Sequence, residues 1–186
     1  MIMTPSDEFS IQQGLLSTAE YIPSPNVNER PDNDISLLVI HNISLPPGEF
    51  GSNDITQLFL NQLDPSKHPY FEHIHTLKVS SHILIRRTGQ VIQYVPFHKR
   101  AWHAGQSIFA GQTQCNDFAI GIELEGTDDL PYEPVQYHTL AKITSAIQRE
   151  YPKIKESRIT GHEHIAPGRK TDPGKAFDWA LYFSLI

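Results

Sequence analysis

With one cysteine, Cys115, the 186-residue chain can form no intramolecular disulfide, and a reducing compartment is the natural setting. Long apolar runs are also missing. The strongest, such as Leu37 to Ile40, reach only about four residues, which excludes a membrane-spanning helix. The opening MIMTPSDEFS carries acids where an export signal carries Lys or Arg, so no leader is read there and a cytoplasmic location is expected. No block of like charges occurs, and 15 basic against 21 acidic residues leave a net charge of −6 with histidine neutral. Nucleic acid and anionic membrane are therefore not expected as partners. Fourteen prolines and eleven glycines are ordinary for this length, so a low-complexity or disordered chain is excluded as well. Histidine is what the sequence has in excess: ten, on an acidic background.

The length suits one domain whose folded state buries roughly 70% of the unfolded surface. Residues 1 to about 34 are polar and interrupted by Pro5, Pro23, Pro25 and Pro31, which predicts an extended arm, with the boundary of the catalytic domain placed after residue 20. A first buried strand is expected over Ile35 to Ile40, ending at His41. Val79 to Arg86 and Gln90 to Val95, joined by Arg87-Thr88-Gly89, read as a hairpin. Phe118 to Leu124 alternates, with Ile120, Ile122 and Leu124 on one face and Gly121, Glu123 and Glu125 on the other. A further short strand is expected over Arg158 to Gly161.

Leu140, Ile143, Ile147 and Tyr151, at spacings of three and four between Pro134 and Pro152, predict one long helix. Shorter helices are expected over Ile55 to Gln62 and Phe177 to Phe183. Mixed strands and helices predict an α/β or α+β fold: a single domain with a mixed central sheet flanked by helices. The long connection from residue 43 to 78, with its Pro46-Pro47-Gly48 and Asp64-Pro65 turns, is expected to line a site.

Hydrolytic metal sites take three ligands from His, Asp or Glu and leave a fourth position to water. His41 follows a buried strand, so a rigid element would fix it at the sheet's edge. His162 and Asp172 converge only if the loop between them doubles back, for which Pro167, Gly168, Pro173 and Gly174 supply the turns. His73 with His75, and His162 with His164, are a rival arrangement. Glu123 is a candidate general base, against the alternative that Glu123 and Glu125 face solvent from an edge strand. Lys170 is a candidate for stabilising an oxyanion. His82 and His103 are supporting, substrate-contacting or core residues, while His68, His98 and His138 read as surface positions. Cys115 has no neighbouring base in sequence, so thiol catalysis is unsupported.

Five runs carry a resemblance: Val39-Ile40-His41-Asn42-Ile43-Ser44-Leu45-Pro46-Pro47-Gly48-Glu49-Phe50-Gly51, Arg100-Ala101-Trp102-His103-Ala104-Gly105, Cys115-Asn116-Asp117-Phe118, Gly121-Ile122-Glu123-Leu124-Glu125-Gly126, and Thr160-Gly161-His162 through Arg169-Lys170-Thr171-Asp172-Pro173-Gly174. In these the chain resembles, over roughly residues 20 to 183, the AmpD-type 1,6-anhydro-N-acetylmuramyl-L-alanine amidases, zinc amidases related to peptidoglycan-recognition proteins. The resemblance implies zinc held by His41, His162 and Asp172, with Glu123 as proton acceptor and Lys170 as transition-state stabiliser. It places Asn42, Lys78, Trp102 and His103 in the substrate groove. Two positions depart from the expected pattern: Lys78 stands where Arg is expected, and Lys lacks the bidentate fork of Arg; His164 stands where an acid is expected.

The implied reaction is hydrolysis of the amide between anhydro-N-acetylmuramic acid and L-alanine by a monomer in cytoplasmic wall recycling, and through fragment levels an influence on β-lactamase induction. Two other readings are an amidase acting on intact wall outside the inner membrane and a non-catalytic peptidoglycan-binding module. A metal-dependent nuclease is a third, which the net acidity disfavours.

Overall fold

The computed structural model describes residues 9–186. Six strands make the central sheet: β1 (Glu20–Tyr21), β2 (Leu37–Ile43), β3 (Ile83–Ile85), β4 (Val91–Gln93), β5 (Ala119–Glu125) and β6 (Ile159–Gly161), in the order β6-β2-β5-β3-β4-β1. β6, β2, β5 and β3 run parallel; β4 returns antiparallel to β3, and β1 pairs parallel to β4, so the sheet is mixed as expected. Among the described residues the α-helices are α1 (Asp54–Phe59), α2 (Pro69–Ile74), α3 (Pro134–Glu150), α4 (His162–Ile165) and α5 (Trp179–Ser184).

The alternation along β5 sorts side chains as the sequence implies. Ile120, Ile122 and Leu124, with Leu38 and Ile40 of β2, meet Leu140, Ile143 and Ile147 of α3 and Tyr182 of α5 in the main core. Pro134 opens α3, where Glu133 and Gln136 form a capping box, and the Gln136 amide also donates to the carbonyls of Ile85 and Glu125. The opposite face of the sheet has two separate apolar covers. Ile55, Leu58, Phe59 and Phe71 pack over Leu84, Ile92 and Tyr94; Ala104, Cys115, Phe118 and Ile165 pack over Leu37 and Val39. His41, Gly121 and Glu123 lie on this face, where the polar chemistry collects.

Several elements differ from the sequence expectation, among them the hairpin strands, which shorten to Ile83–Ile85 and Val91–Gln93. β2 does not stop before His41: its parallel ladder with the fully buried β5 continues through the half-buried Asn42 to Ile43, opposite Glu125. β5 is central and buried throughout, so neither glutamate faces solvent from an edge. Glu125 is 2% exposed, and its carboxylate accepts from the backbone N–H of Gly51 and Arg87, with Arg86 alongside at 3.5 Å. It pins the start of the 43–78 connection to the β3–β4 hairpin. That connection holds α1, α2 and a single 3₁₀ turn at Pro65–Lys67, where the sequence suggested one short helix.

Of the arm expected over residues 1–20, residues 1–8 lie outside the described residues. Residues 9–20 form a two-stranded ribbon, Ile11–Gln12 with Leu15–Leu16, and then reach β1. Gln93 ties them to the sheet, accepting from Leu16 N–H and donating to the Gly14 carbonyl. Further on, Val27–Asn28 pairs with Arg100–Ala101, and Arg30 buries its guanidinium among the carbonyls of Phe97, Asn116, Asp117 and Ala119.

Candidate active site

The register of three parallel strands sets the site. Glu123 is paired directly across from His41, and Gly161 across from Ile40, so His162 emerges beside His41 as β6 passes into α4. Parallel neighbours in register present their side chains on the same face, so chemistry-bearing groups from three chain segments gather in one row near the C-terminal ends of the strands. The 162–172 loop doubles back: Arg169 and Lys170 N–H donate to the Ala166 carbonyl, and Glu163 N–H donates to the Asp172 carbonyl. This return delivers Asp172 to the two imidazoles.

His41 Nδ1 and His162 Nδ1 lie 3.0 Å apart, and Asp172 Oδ2 lies 3.1 and 3.0 Å from them. The other ring nitrogens are engaged. Nε2 of His162 stands 3.0 Å from the Ala104 carbonyl, which can only accept, so Nε2 carries the proton and Nδ1 is left with its lone pair in the neutral ring. Nε2 of His41 lies 2.9 Å from Nδ1 of His103. Two imidazole lone pairs and a carboxylate oxygen converging with outer hydrogen bonds in place fit a divalent metal, and among the described residues these three side chains are the group that does so. The rival pairs do not assemble: His164 is exposed against Trp179, and His73 and His75 sit on or just after α2.

The two carboxylates are tuned in opposite directions. Burial opposes ionisation of Asp172, but its hydrogen bonds to His162 and His41 outweigh this and hold the carboxyl well below the usual range. Glu123, 8% exposed, is pushed well above its usual range by burial and then by the charge of Asp172, with Lys170 acting the other way. Its Oε1 lies 4.0 Å from His41 Nδ1, and its Oε2 is buried without a hydrogen-bond partner among the described residues. Two carboxyl groups with separated proton affinities in one cleft is the pattern of a site that moves protons.

A groove of about 630 Å³ opens over these groups. Phe59, Tyr70, Ile74 and Leu77 make an apolar wall, while Asp128, Lys170 and Thr171 lie on its polar side. Of the residues expected in the groove, Asn42, Trp102 and His103 line it. Lys78 is exposed between Leu77 and Val79, which line it, and is not itself a lining residue. Both amide protons of Asn42 are used, on Asp128 Oδ1 and the Pro173 carbonyl, which ties the residue after His41 to the residue after Asp172. Trp102 Nε1 donates to Asn28.

Sequence reasoning missed Asp128, which also accepts from Thr171 Oγ1, and Arg169, which donates to the Ala104 and Gln106 carbonyls. Asp128 stands in no pattern that marks it out, and Arg169, although it lies in the run from Thr160 to Gly174, has no local signal for its reach to the 104–106 carbonyls. Cys115 is buried in the core, consistent with no catalytic part.

His82 resolves as a core residue. Its Nδ1 accepts the Gly121 N–H, so Nε2 carries the proton and faces the Lys99 carbonyl. Burial, and then the Arg30 charge, hold its pKa down to about 3 from 6.5. The unfolded chain therefore takes up a proton below about pH 6.5 that the folded chain refuses until about pH 3. Stability from this group is full above pH 6.5 and is lost as the pH falls, by up to about 1.4 kcal/mol per unit. Urea unfolding of metal-free protein between pH 4 and 7 is expected to show a pH slope smaller by nearly one proton in His82→Asn; equal slopes would refute the assignment.

Among the described residues no helix is long and apolar enough to cross a membrane. The family model for N-acetylmuramoyl-L-alanine amidases matches residues 31–175. The 1,6-anhydro-N-acetylmuramyl-L-alanine amidase AmpD of Citrobacter freundii is 55% identical over 177 residues, 95% of this chain and 94% of that protein. The enzyme of the same name from Escherichia coli K12 is also 55% identical, over 95% of this chain and 96% of its own. A crystal structure of a selenomethionine derivative of AmpD superposes with a TM-score of 0.93 at 55% identity, covering 95% of this chain and 98% of that one. With a family model matched over most of its length, and relatives this similar from end to end, the chain belongs to the N-acetylmuramoyl-L-alanine amidases.

Proposed function

We propose that this chain hydrolyses the amide bond between 1,6-anhydro-N-acetylmuramic acid and the L-alanine of muropeptides, using zinc held by His41, His162 and Asp172. The observation that carries this reading is the convergence of three donor atoms within 3.0 to 3.1 Å of one another, with a buried carboxylate 4.0 Å from one of them on the floor of a groove. The identity to enzymes named for this substrate supports the choice of bond. Zinc bound there would polarise the scissile carbonyl and lower the pKa of a water to about 7.

The protein's own groups do the rest. Glu123, whose raised proton affinity suits a base that must later act as an acid, takes the proton of the attacking water as its oxygen bonds to the lactyl carbonyl carbon. Lys170, on the rim, offers its ammonium to the carbonyl oxygen as negative charge develops there. Glu123 then returns the proton to the alanine nitrogen while the C–N bond breaks, giving a free carboxyl on the sugar and a free amine on the peptide. Asn42 and Trp102 border the bound fragment, and Lys78, exposed beside the lining residues Leu77 and Val79, offers its ammonium to a peptide carboxylate. The chain is expected to act as a monomer.

The test is incubation of purified protein with anhydromuropeptide and with intact wall, with and without chelator. The expected result is release of sugar and peptide from the soluble fragment, abolished by chelation and restored by zinc. Preferential cleavage of intact wall would instead favour an enzyme acting outside the inner membrane, and binding without cleavage a recognition module. Recovery of the tagged protein in the cytoplasmic fraction is expected, in keeping with fragment recycling and its influence on β-lactamase induction.

A further inference from the structure

We propose that His103 is a positioning residue that holds His41 in its metal-facing orientation, and that the His103–Ala104 backbone, clamped by Asn116, supports both imidazoles of the site. The inference rests on the metal-binding reading given above. His103 was expected in the substrate groove, and its ring does border it, but its closest polar partner is inside the protein. Its Nδ1 lies 2.9 Å from Nε2 of His41, and the two rings meet edge to face at 90° with centroids 5.0 Å apart. If His41 presents Nδ1 to a metal, its proton must sit on Nε2, and His103 Nδ1 is the acceptor that keeps it there.

The position of the acceptor is itself fixed from two sides. The Asn116 side-chain oxygen accepts from the backbone N–H of both His103 and Ala104, at 3.1 and 2.8 Å. Beneath the ring lies Gly121, where a Cβ would come within 2.4 Å of His103 Nδ1; only glycine leaves room for the imidazole against β5. The next residue does the same service for the second ligand, since the Ala104 carbonyl receives Nε2–H of His162. Two ligands from distant parts of the chain are thus oriented by adjacent residues of one loop. Nε2 of His103 is buried and has no partner among the described residues, where this ring's one hydrogen bond is the one to His41.

The experiment compares zinc affinity, by chelator competition, in the wild type, His103→Ala and His103→Asn, alongside KM and kcat for anhydromuropeptide at saturating zinc. His103→Ala is expected to bind zinc about 10- to 100-fold more weakly. His103→Asn, whose Oδ1 occupies nearly the place of Nδ1 and can accept the same proton, is expected to recover most of that loss. KM is expected to change little in either variant. Wild-type affinity in His103→Ala, or a loss that Asn does not recover, would overturn the inference. A raised KM with unchanged zinc affinity would also overturn it, assigning His103 to substrate contact. Should His103→Ala fail to fold, nitrogen NMR of zinc-loaded wild type decides: the proton of His41 on Nε2 with scalar coupling to His103 Nδ1 supports the proposal, and its absence refutes it. Failure of the wild type itself to bind zinc would refute the metal reading instead, a distinguishable result.

Discussion

Replacing Glu123 by Gln is expected to leave zinc content and fold intact while lowering turnover about 10²- to 10⁴-fold, the usual weight of a positioned general base. The side chain is buried on the central strand, opposite His41, and Gln has nearly its shape. What Gln lacks is the ability to take a proton from water and hand it to the alanine nitrogen. Because the carboxylate is not within bonding reach of Asp172 or His162 in the manner of the three ligands, its loss should not release metal. Metal analysis and turnover on the same preparation check both halves. Full activity in Glu123→Gln would remove it from the proton path, and loss of zinc would make it a ligand.

His162→Ala should behave differently, losing metal and activity together. His162 contributes Nδ1 to the converging triad and anchors its ring through Nε2 to the Ala104 carbonyl, so truncation removes a donor and leaves that carbonyl with Arg169 alone. Two ligands are too few for a structural grip on zinc at ordinary concentrations, and turnover is expected to fall to the metal-free background. His164→Ala, two residues on, removes an exposed ring that packs against Trp179 and makes no approach to the triad; it should bind zinc as the wild type does. If His164→Ala lost zinc and His162→Ala kept it, the assignment between neighbouring histidines would be reversed.

The parts of the fold that were legible are those where burial imposes a period. The unbroken apolar run before His41 and the alternation from Ile120 to Leu124 mark two adjacent strands of the sheet, and the three-four spacing from Leu140 to Tyr151 marks α3 against it. His41 stands at the end of the first of those runs and Glu123 within the second, whereas the grouping of His162, Asp172 and Lys170 with them is what the family resemblance implies rather than what any period displays. What escaped has no period to read. Two-residue strands such as Val27–Asn28 are held by backbone pairing with Arg100–Ala101, and a pair of residues cannot display alternation. The helix α2 begins with a His68 cap and Pro69, signals that are visible in hindsight but lie within a stretch otherwise resembling loop. Arg30 looks like an ordinary surface charge, yet four backbone carbonyls from distant segments bury it.

By itself the sequence determined the type of chemistry, since only certain side chains bind metals or carry protons and they recur here in ordered motifs, and it determined which faces of the main strands and helix must be covered. Tertiary structure decided how those groups meet: that β2 runs on past His41, that Glu123 lies across from it on a buried central strand, and that the loop after α4 returns Asp172 to both imidazoles. It also decided that the hydrogen-bond partners of the two imidazoles come from His103 and Ala104. The reason is physical: side-chain character and periodicity are local properties, whereas register between strands and the closure of long loops depend on contacts between residues scores of positions apart, which no local pattern encodes.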